Sequence, residues 1–269
     1  MTNDPIKASV GPANRWADLG PRFITAVGMV VVSFAAVWFG NTTFLLFVVL
    51  CVTALVWELS RMCQVARPLL IALLSGAALL LMALLPSGYG LPFMMLPVVA
   101  SVGRIGRERM AFAMFAVMIL LSGFGLIQLR VEFQALWLVW LVLVVVMTDV
   151  AGYFAGRMLG GPKFWPKVSP KKTWSGTVAG WFGAAAVGLA YVLWAGAPLQ
   201  VIPVSIALSM AAQMGDIAES ALKRRVGVKD SSALLPGHGG FFDRLDGILG
   251  ASIFLLMVEQ FIAFPPVPV

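Results

Sequence analysis

The sequence carries its densest group of ionisable residues at positions 215–250, which read GDIAESALKRRVGVKDSSALLPGHGGFFDRLDGILG. This stretch holds five acidic residues, five basic residues and the single histidine of a chain that is otherwise largely apolar. Ionisable groups at the ends of apolar helices are costly in lipid and usually face a polar cavity. The stretch is therefore the first candidate for a functional site.

Four polar side chains at the start of this stretch share one face if residues 216–223 form a helix. Asp216, Glu219, Ser220 and Lys223 fall at positions i, i+3, i+4 and i+7 of such a helix. The spacing gathers two carboxylates, a hydroxyl and an ammonium on one side, which is typical of a polar site and not of a lipid-facing surface.

A glycine-rich segment at 236–240, PGHGG, precedes a second acidic pair, Asp243 and Asp246. Its three glycines allow backbone N–H groups to approach a ligand closely and to form an anion-binding concavity. Carboxylates beside such a phosphate-binding loop suggest a bound divalent cation. Hard oxygen ligands suit magnesium, and the metal would relieve the repulsion between the carboxylates.

The order of these polar residues resembles the signature of the phosphatidate cytidylyltransferases, also called CDP-diacylglycerol synthases. The matching residues are Ser220, Lys223, Arg224, Lys229, Asp230, His238, Gly239, Gly240, Asp243, Arg244 and Asp246. Two upstream segments fit the same family, namely Asp149-x-x-Gly152-Tyr153-x-x-Gly156-Arg157 and Ser169-Pro170-Lys171-Lys172-Thr173-Trp174-x-Gly176. The resemblance covers the second half of the chain through these motifs and the first half only through hydropathy.

The resemblance implies transfer of a cytidylyl group from CTP to phosphatidate, which gives CDP-diacylglycerol and pyrophosphate in phospholipid biosynthesis. It implies Mg²⁺ as cofactor, with a second cation if the site is a two-metal centre. The implied catalytic residues are Asp216, Lys223, Asp243 and Asp246. The implied metal ligands are Asp216, Asp243, Asp246 and Glu219. The implied substrate-binding residues are Asp149, Lys171, Lys172, Ser220, Arg224, Lys229, His238, Gly239, Gly240 and Arg244.

Composition predicts an all-α, polytopic integral membrane protein, because 60% of the 269 residues are hydrophobic and only 12% are charged. The mean hydropathy of +0.94 lies far above that of soluble domains. About nine apolar segments predict nine transmembrane helices, although several are short for the roughly 20 residues that a bilayer core requires. They lie at about 23–40, 43–59, 69–85, 91–103, 111–128, 133–155, 174–196, 199–215 and 247–264.

The basic residues predict the orientation of these helices. With the N-terminus in the cytoplasm, 18 of the 19 lysines and arginines fall in cytoplasmic segments, and only Arg130 falls outside. The C-terminus is then outside, and every candidate site segment faces the cytoplasm, as expected for an enzyme of a bacterial inner membrane that uses a cytosolic nucleotide. The basic residues that give the net charge of +7 lie mostly in the loops on one side of the membrane. We therefore expect membrane lipid as a partner and no nucleic acid.

The polar residues divide the chain into three parts. Residues 1–22 are interpreted as a cytoplasmic tail, residues 23–145 as a transmembrane scaffold, and residues 146–269 as the catalytic transmembrane domain. Within these parts, Gly152 and Gly156 fit a close helix-packing contact. Glu58 and Glu259 have no motif around them and are assigned structural roles.

Three alternatives stay open at this stage. Ser175 stands where the family commonly carries an acid or an amide, so a diverged homologue that acts on another lipid phosphate is one alternative. A membrane transporter is a second, although the polar residues gather at one end of the helices instead of forming a path through them. The sequence also leaves the oligomeric state open, a homodimer included.

Overall fold

The computed structural model describes residues 19–86, 89–106, 108–235, 239–262 and 264. His238, a predicted substrate-binding residue, lies outside the described residues. The chain is almost entirely helical, so the prediction of a helical protein is confirmed. The elements are α1 (Leu19–Trp38), α2 (Asn41–Met62), α3 (Pro68–Leu84), α4 (Leu96–Ser101), α5 (Arg109–Met158), β1 (Lys163–Trp165), β2 (Ser169–Thr173), α6 (Trp174–Ala195), α7 (Val201–Val226) and α8 (Phe242–Glu259).

Several helices have the length and apolar character of membrane spans. In the part of the chain that the structure describes, four helices pass both criteria, namely α2, α5, α6 and α7. Large apolar side chains such as Phe182, Leu193 and Trp194 are exposed on the outer surface, as expected for contact with lipid. The protein is therefore a membrane protein. The number of nine crossings and the side on which each terminus lies stay predictions.

The structure keeps the fifth and sixth predicted helices and redraws two other segments. The fifth and sixth helices are the two parts of α5, which are separated by a kink at Gln134, where the backbone is not helical (φ 66°, ψ 179°). The fourth segment is a five-residue 3₁₀ turn, Leu91–Met95, followed by the short α4. Helix α7 continues to Val226 instead of ending near 215, so the acidic face predicted at 216–223 does lie on a helix.

Residues 163–173 form a two-stranded antiparallel hairpin, β1–β2, that the sequence did not predict. The hairpin leads directly into α6, whose N-cap is Thr173. The Thr173 hydroxyl accepts a hydrogen bond of 3.2 Å from the backbone N–H of Gly176. Because this bond satisfies a donor in the first turn of the helix, it fixes the hairpin relative to the start of α6.

Helix α5 is central and packs against α2, α6, α7 and α8. Polar side chains connect it to α7 within the apolar interior. Trp140 donates a hydrogen bond of 3.0 Å to Ser205, and Thr148 donates one of 2.8 Å to Ser209. Because such groups have no water to bind within a membrane, these bonds specify how the two helices face each other.

Glycines bring the site-bearing helices unusually close together. A Cβ atom on Gly215 would lie 2.3 Å from the carbonyl oxygen of Asp246, and one on Gly250 would lie 2.2 Å from that of Ala211. These glycines therefore fix the contact between α7 and α8. A Cβ on Gly176 would likewise lie 2.6 Å from the carbonyl oxygen of Gly152, which confirms the predicted packing role of Gly152 in the contact of α5 with α6.

Gly250→Ala is expected to destabilise the protein by about 1–3 kcal/mol, because the new methyl group overlaps a backbone atom that cannot move aside. Gly28→Ala is the matched control, since Gly28 is also helical and nothing lies within 4 Å of its added Cβ. The measurement is the apparent Tm in detergent. The control should match or exceed the wild type through its better helix propensity, and an unchanged Tm for Gly250→Ala would contradict the close contact.

Candidate active site

A cavity of about 370 Å³ lies where the end of α5, the hairpin, the start of α6 and the second half of α7 meet. Asp149, Arg157, Lys171, Lys172 and Gln213 are among its lining residues. Three of these five side chains are cationic and one is a carboxylate. The cavity therefore suits an anionic ligand, and it contains the predicted residues Asp149, Lys171 and Lys172.

The hairpin is joined to α7 by an ion pair at the cavity. The ammonium nitrogen of Lys172 lies 2.5 Å from Oδ2 of Asp216. The Ser220 hydroxyl, one turn further along α7, donates a hydrogen bond of 3.3 Å to Oδ1 of the same carboxylate. The structure thus brings Lys172, from an upstream motif, to the helix face that carries Asp216 and Ser220.

Asp246 enters this group from α8. Its Oδ1 accepts a hydrogen bond of 2.8 Å from the backbone N–H of Gly247. Burial, together with the nearby carboxylates of Asp216 and Asp149, raises the pKa of Asp246 to about 7. Three carboxylates from α5, α7 and α8 therefore lie close enough to repel one another, and Lys172 offsets part of this repulsion.

A second ionic group lies beside the first and is centred on Lys223. The Lys223 ammonium lies 2.6 Å from Oε2 of Glu219 and 2.6 Å from Oδ1 of Asp243. The Glu219 side chain is 1% exposed and that of Asp243 is 10% exposed. Buried ion pairs of this kind contribute little net stability, but removing one partner leaves an uncompensated charge at a cost of about 3–5 kcal/mol.

The other oxygen of Asp243 holds the segment that precedes α8. Oδ2 accepts hydrogen bonds from the backbone N–H of Ser231 at 3.0 Å, from the Ser231 hydroxyl at 3.1 Å and from the backbone N–H of Gly240 at 2.8 Å. Burial opposes ionisation of Asp243, but the bond from Lys223 and those from the backbone outweigh it and lower the pKa of this carboxyl. Asp243 is thus ionised and fully engaged within the protein.

This arrangement gives Gly240 a structural role, and its part in substrate binding stays a prediction. Its backbone N–H, expected to bind a phosphate, donates to Asp243. A Cβ atom at this position would lie 1.7 Å from the Ser231 hydroxyl oxygen and 3.0 Å from Oε1 of Glu58. Only glycine permits this close approach. Gly239 adopts a left-handed conformation, with φ of 84°, and its carbonyl accepts a hydrogen bond from the N–H of Leu235.

Glu58 is the functional-site candidate that the sequence interpretation missed. It lies on α2, it is fully buried, and its carboxylate contacts the segment before α8. The available signal was a carboxylate within an apolar helix, which is a site hypothesis by default in a membrane protein. Its four donors are the hydroxyls of Ser231 and Ser232 and the backbone N–H groups of Phe241 and Phe242.

The remaining predicted residues do not line the cavity. Arg224, Lys229 and Arg244 are exposed. Ser175, where the sequence departs from the common family pattern, donates a hydrogen bond to the carbonyl of Gly160 and lies 3.1 Å from the Thr173 hydroxyl. The serine therefore stabilises the junction of the hairpin with α6.

The carboxylate oxygens near the cavity are chemically suited to a hard cation, but their arrangement does not form a complete metal site. Across residues 19–86, 89–106, 108–235, 239–262 and 264, no three acidic, histidine or cysteine side chains form a ready-made metal site. Magnesium commonly takes only one or two carboxylates from a protein and completes its coordination with substrate phosphates and water. The carboxylates of Asp216 and Asp246 suit that mode of binding.

The family model described as the cytidylyltransferase family matches residues 20–262, which is nearly the whole chain. The chain belongs to this family. The match extends the resemblance from the second half of the sequence to the first five helices, including α2 and its buried Glu58. Those helices are therefore part of the family architecture and not an appended anchor.

The chain is also similar to phosphatidate cytidylyltransferases of several bacteria. The phosphatidate cytidylyltransferase of Brucella suis is 33% identical over 262 residues, covering 94% of this chain and 97% of the relative. That of Bacillus subtilis is 32% identical over 270 residues, covering 88% and 96%. That of Staphylococcus aureus is 40% identical over 116 residues, covering 42% and 45%. The cytidylyltransferase described here is thus a nucleotidyltransferase.

Proposed function

We propose that this cytidylyltransferase transfers the cytidylyl group of CTP to phosphatidate and releases pyrophosphate. The relatives from Brucella suis and Bacillus subtilis are named for this reaction, and the chain matches them over nearly their full length. The observation that carries the proposal is the cavity in which Arg157, Lys171 and Lys172 face the carboxylate of Asp149, beside the ion-paired Asp216. One site then offers cationic side chains that can bind phosphates and carboxylate oxygens that can bind a metal.

In this reaction an oxygen of the phosphatidate phosphate attacks the α-phosphorus of CTP. The new bond joins that oxygen to the α-phosphorus, while the bond from the α-phosphorus to the bridging oxygen breaks and pyrophosphate leaves. The attacking oxygen is already anionic, so no side-chain base is obligatory. The protein then contributes positioning and charge stabilisation, for which Lys171, Lys172 and Arg157 are placed.

Magnesium is part of the proposal, with Asp216 and Asp246 as its main ligands and Asp149 beside them. A bound Mg²⁺ would supply charge neutralisation for the phosphates and for the leaving pyrophosphate. Asp243 and Glu219, also predicted as ligands, are held by Lys223 in this structure. Their proposed contribution is to keep Lys223 and the start of α8 in place.

The proposed location is the bacterial inner membrane, with the cavity open to the cytoplasm. The cavity lies at the end of α5 that leads into the hairpin, among the lysines of residues 163–172. A concentration of basic residues on one side supports a cytoplasmic placement for that side. Cytosolic CTP and a lipid phosphate would then meet at the membrane surface.

Lys172→Met is expected to raise the KM for CTP by roughly tenfold, because the cavity loses a cation that is placed for a phosphate. Lys163→Met is the matched control, since Lys163 is an exposed lysine of the same hairpin outside the cavity lining. Steady-state kinetics of both variants measure the effect. Equal KM values for the two variants would remove Lys172 from nucleotide binding.

A substrate panel tests the proposed function and its nearest alternative. The purified protein is incubated in detergent with CTP and Mg²⁺ and with phosphatidate or a polyprenyl phosphate, and the products are identified by mass spectrometry. We expect CDP-diacylglycerol and an equal amount of pyrophosphate from phosphatidate. A cytidylylated polyprenyl product without CDP-diacylglycerol would overturn the proposed lipid and identify the diverged homologue.

A further inference from the structure

Glu58 comes from the scaffold half of the chain, yet each of its bonds goes to the segment that leads into α8. Its Oε1 accepts hydrogen bonds from the Ser232 hydroxyl and from the Phe241 N–H, the latter at 2.8 Å. Its Oε2 accepts one of 3.1 Å from the Ser231 hydroxyl and one of 2.6 Å from the Phe242 N–H. One carboxylate thus binds both ends of the segment 231–242.

We propose that Glu58 is a positioning residue of the cytidylyl transfer, which holds Ser231, Ser232, Phe241 and Phe242 and thereby fixes the start of α8. The inference rests on the proposed function, because that function supplies the reaction that Glu58 serves. It goes beyond the sequence assignment of Glu58 as structural, because the first turns of α8 carry Asp243 and Asp246, and Asp246 is a proposed metal ligand.

The chemistry of the four donors requires a carboxylate at this position. Each Glu58 oxygen accepts from one backbone N–H, and a backbone N–H can only donate. A glutamine would turn its amide nitrogen toward either Phe241 or Phe242 and leave that N–H without an acceptor. Because a buried donor without a partner is unfavourable, the segment would shift to find water or another acceptor.

Ser231 extends the effect of Glu58 to the ionic group. Its hydroxyl oxygen lies 3.1 Å from Oε2 of Glu58 and 3.1 Å from Oδ2 of Asp243. A hydroxyl has one proton, so both carboxylates share a single donor. Asp243 in turn binds Lys223. A displacement at Glu58 therefore reaches α7 through contacts that are continuous in the structure.

Glu58→Gln in the full-length protein tests the proposal through two readouts. Hydrogen exchange of peptides covering 231–242 reports whether the segment is held, and steady-state kinetics with CTP and phosphatidate report whether holding it matters for the reaction. Glu132→Gln is the matched control, because Glu132 is an exposed carboxylate of α5 that accepts a hydrogen bond from Gln128 and lies beside Glu259, at the opposite end of α8 from Phe242. Peptides of the hairpin, residues 163–173, are the internal reference.

For Glu58→Gln we expect exchange in 231–242 to accelerate at least about tenfold while the hairpin peptides stay unchanged. The kcat of folded protein should fall by about tenfold to a hundredfold, and the KM for CTP should stay within about threefold. If Glu58→Gln only reduced the amount of folded protein, the kcat per folded molecule would stay unchanged. Wild-type exchange in 231–242, or wild-type kcat with accelerated exchange, would overturn the proposal.

Ser232→Ala keeps the test decisive if Glu58→Gln does not fold, because it removes one of the four donors and no charge. The same readouts apply, with an expected change of roughly threefold in each. If the wild-type protein makes no CDP-diacylglycerol, the proposed function fails. The exchange readout still decides whether Glu58 holds the segment, so the two failures are distinguishable.

Discussion

Asp246→Asn is expected to lower kcat for CDP-diacylglycerol synthesis by roughly 10²–10³-fold while the protein still folds and inserts. Asparagine keeps the volume of aspartate, and its carbonyl oxygen can accept the bond from the Gly247 N–H. What it loses is the negative charge beside Asp216 and Asp149. If that charge helps to bind Mg²⁺ against the phosphates, transition-state stabilisation is lost and the fold is kept.

Steady-state assays of Asp246→Asn over a range of Mg²⁺ concentrations measure this effect. Glu132→Gln is the control for removal of one carboxylate from the same protein. High Mg²⁺ should restore part of the activity of Asp246→Asn if the site still binds the metal weakly. Wild-type turnover in Asp246→Asn at ordinary Mg²⁺ would remove Asp246 from the chemistry.

Lys223→Met is expected to lower the free energy of unfolding by about 3–5 kcal/mol and to abolish activity. The substitution keeps the apolar length of the side chain but leaves Glu219 and Asp243 without their shared counter-ion. For a protein of this size the loss corresponds to a fall in apparent Tm of roughly 6–20 °C. Thermal unfolding in detergent, followed by size-exclusion chromatography, provides the measurement.

Glu219→Gln is the comparison that isolates the charge argument. It removes one of the two carboxylates and leaves the ion pair of Lys223 with Asp243 intact, so its Tm should fall much less than that of Lys223→Met. A double variant with Lys223→Met and Glu219→Gln should recover part of the lost stability. Equal Tm values for the wild type and Lys223→Met would contradict a buried, mutually dependent ionic group.

The sequence was enough to predict the helical membrane fold and the family, and three of the predicted site residues, Asp149, Lys171 and Lys172, line the cavity. Helical spacing placed Asp216, Ser220 and Lys223 on one face, and the structure extends α7 far enough to carry all three. These predictions depend on local periodicity and on motif order, which a single sequence contains. The spacing does not show which acidic residues pair with Lys223 and which are left to bind a metal.

The role of Glu58 was missed because it depends on contacts between distant parts of the chain. Glu58 is 173 positions from Ser231, so nothing local connects it to the segment that it holds. The bond from the Gly240 N–H to Asp243 does not follow from the glycine-rich pattern, and the role of Gly240 in substrate binding stays a prediction. The hairpin was not predicted, because strands of three and five residues leave almost no periodic signal.

Cytidylyl transfer to phosphatidate is tested most directly by following two labels of CTP through one reaction. The purified protein is given phosphatidate, Mg²⁺ and CTP labelled at either the α- or the γ-phosphate, with EDTA in a parallel sample. The account predicts that the α-label enters the lipid fraction as CDP-diacylglycerol, that the γ-label leaves as pyrophosphate, and that EDTA stops both. A γ-label in the lipid, or no labelled lipid from folded wild-type protein, would contradict it.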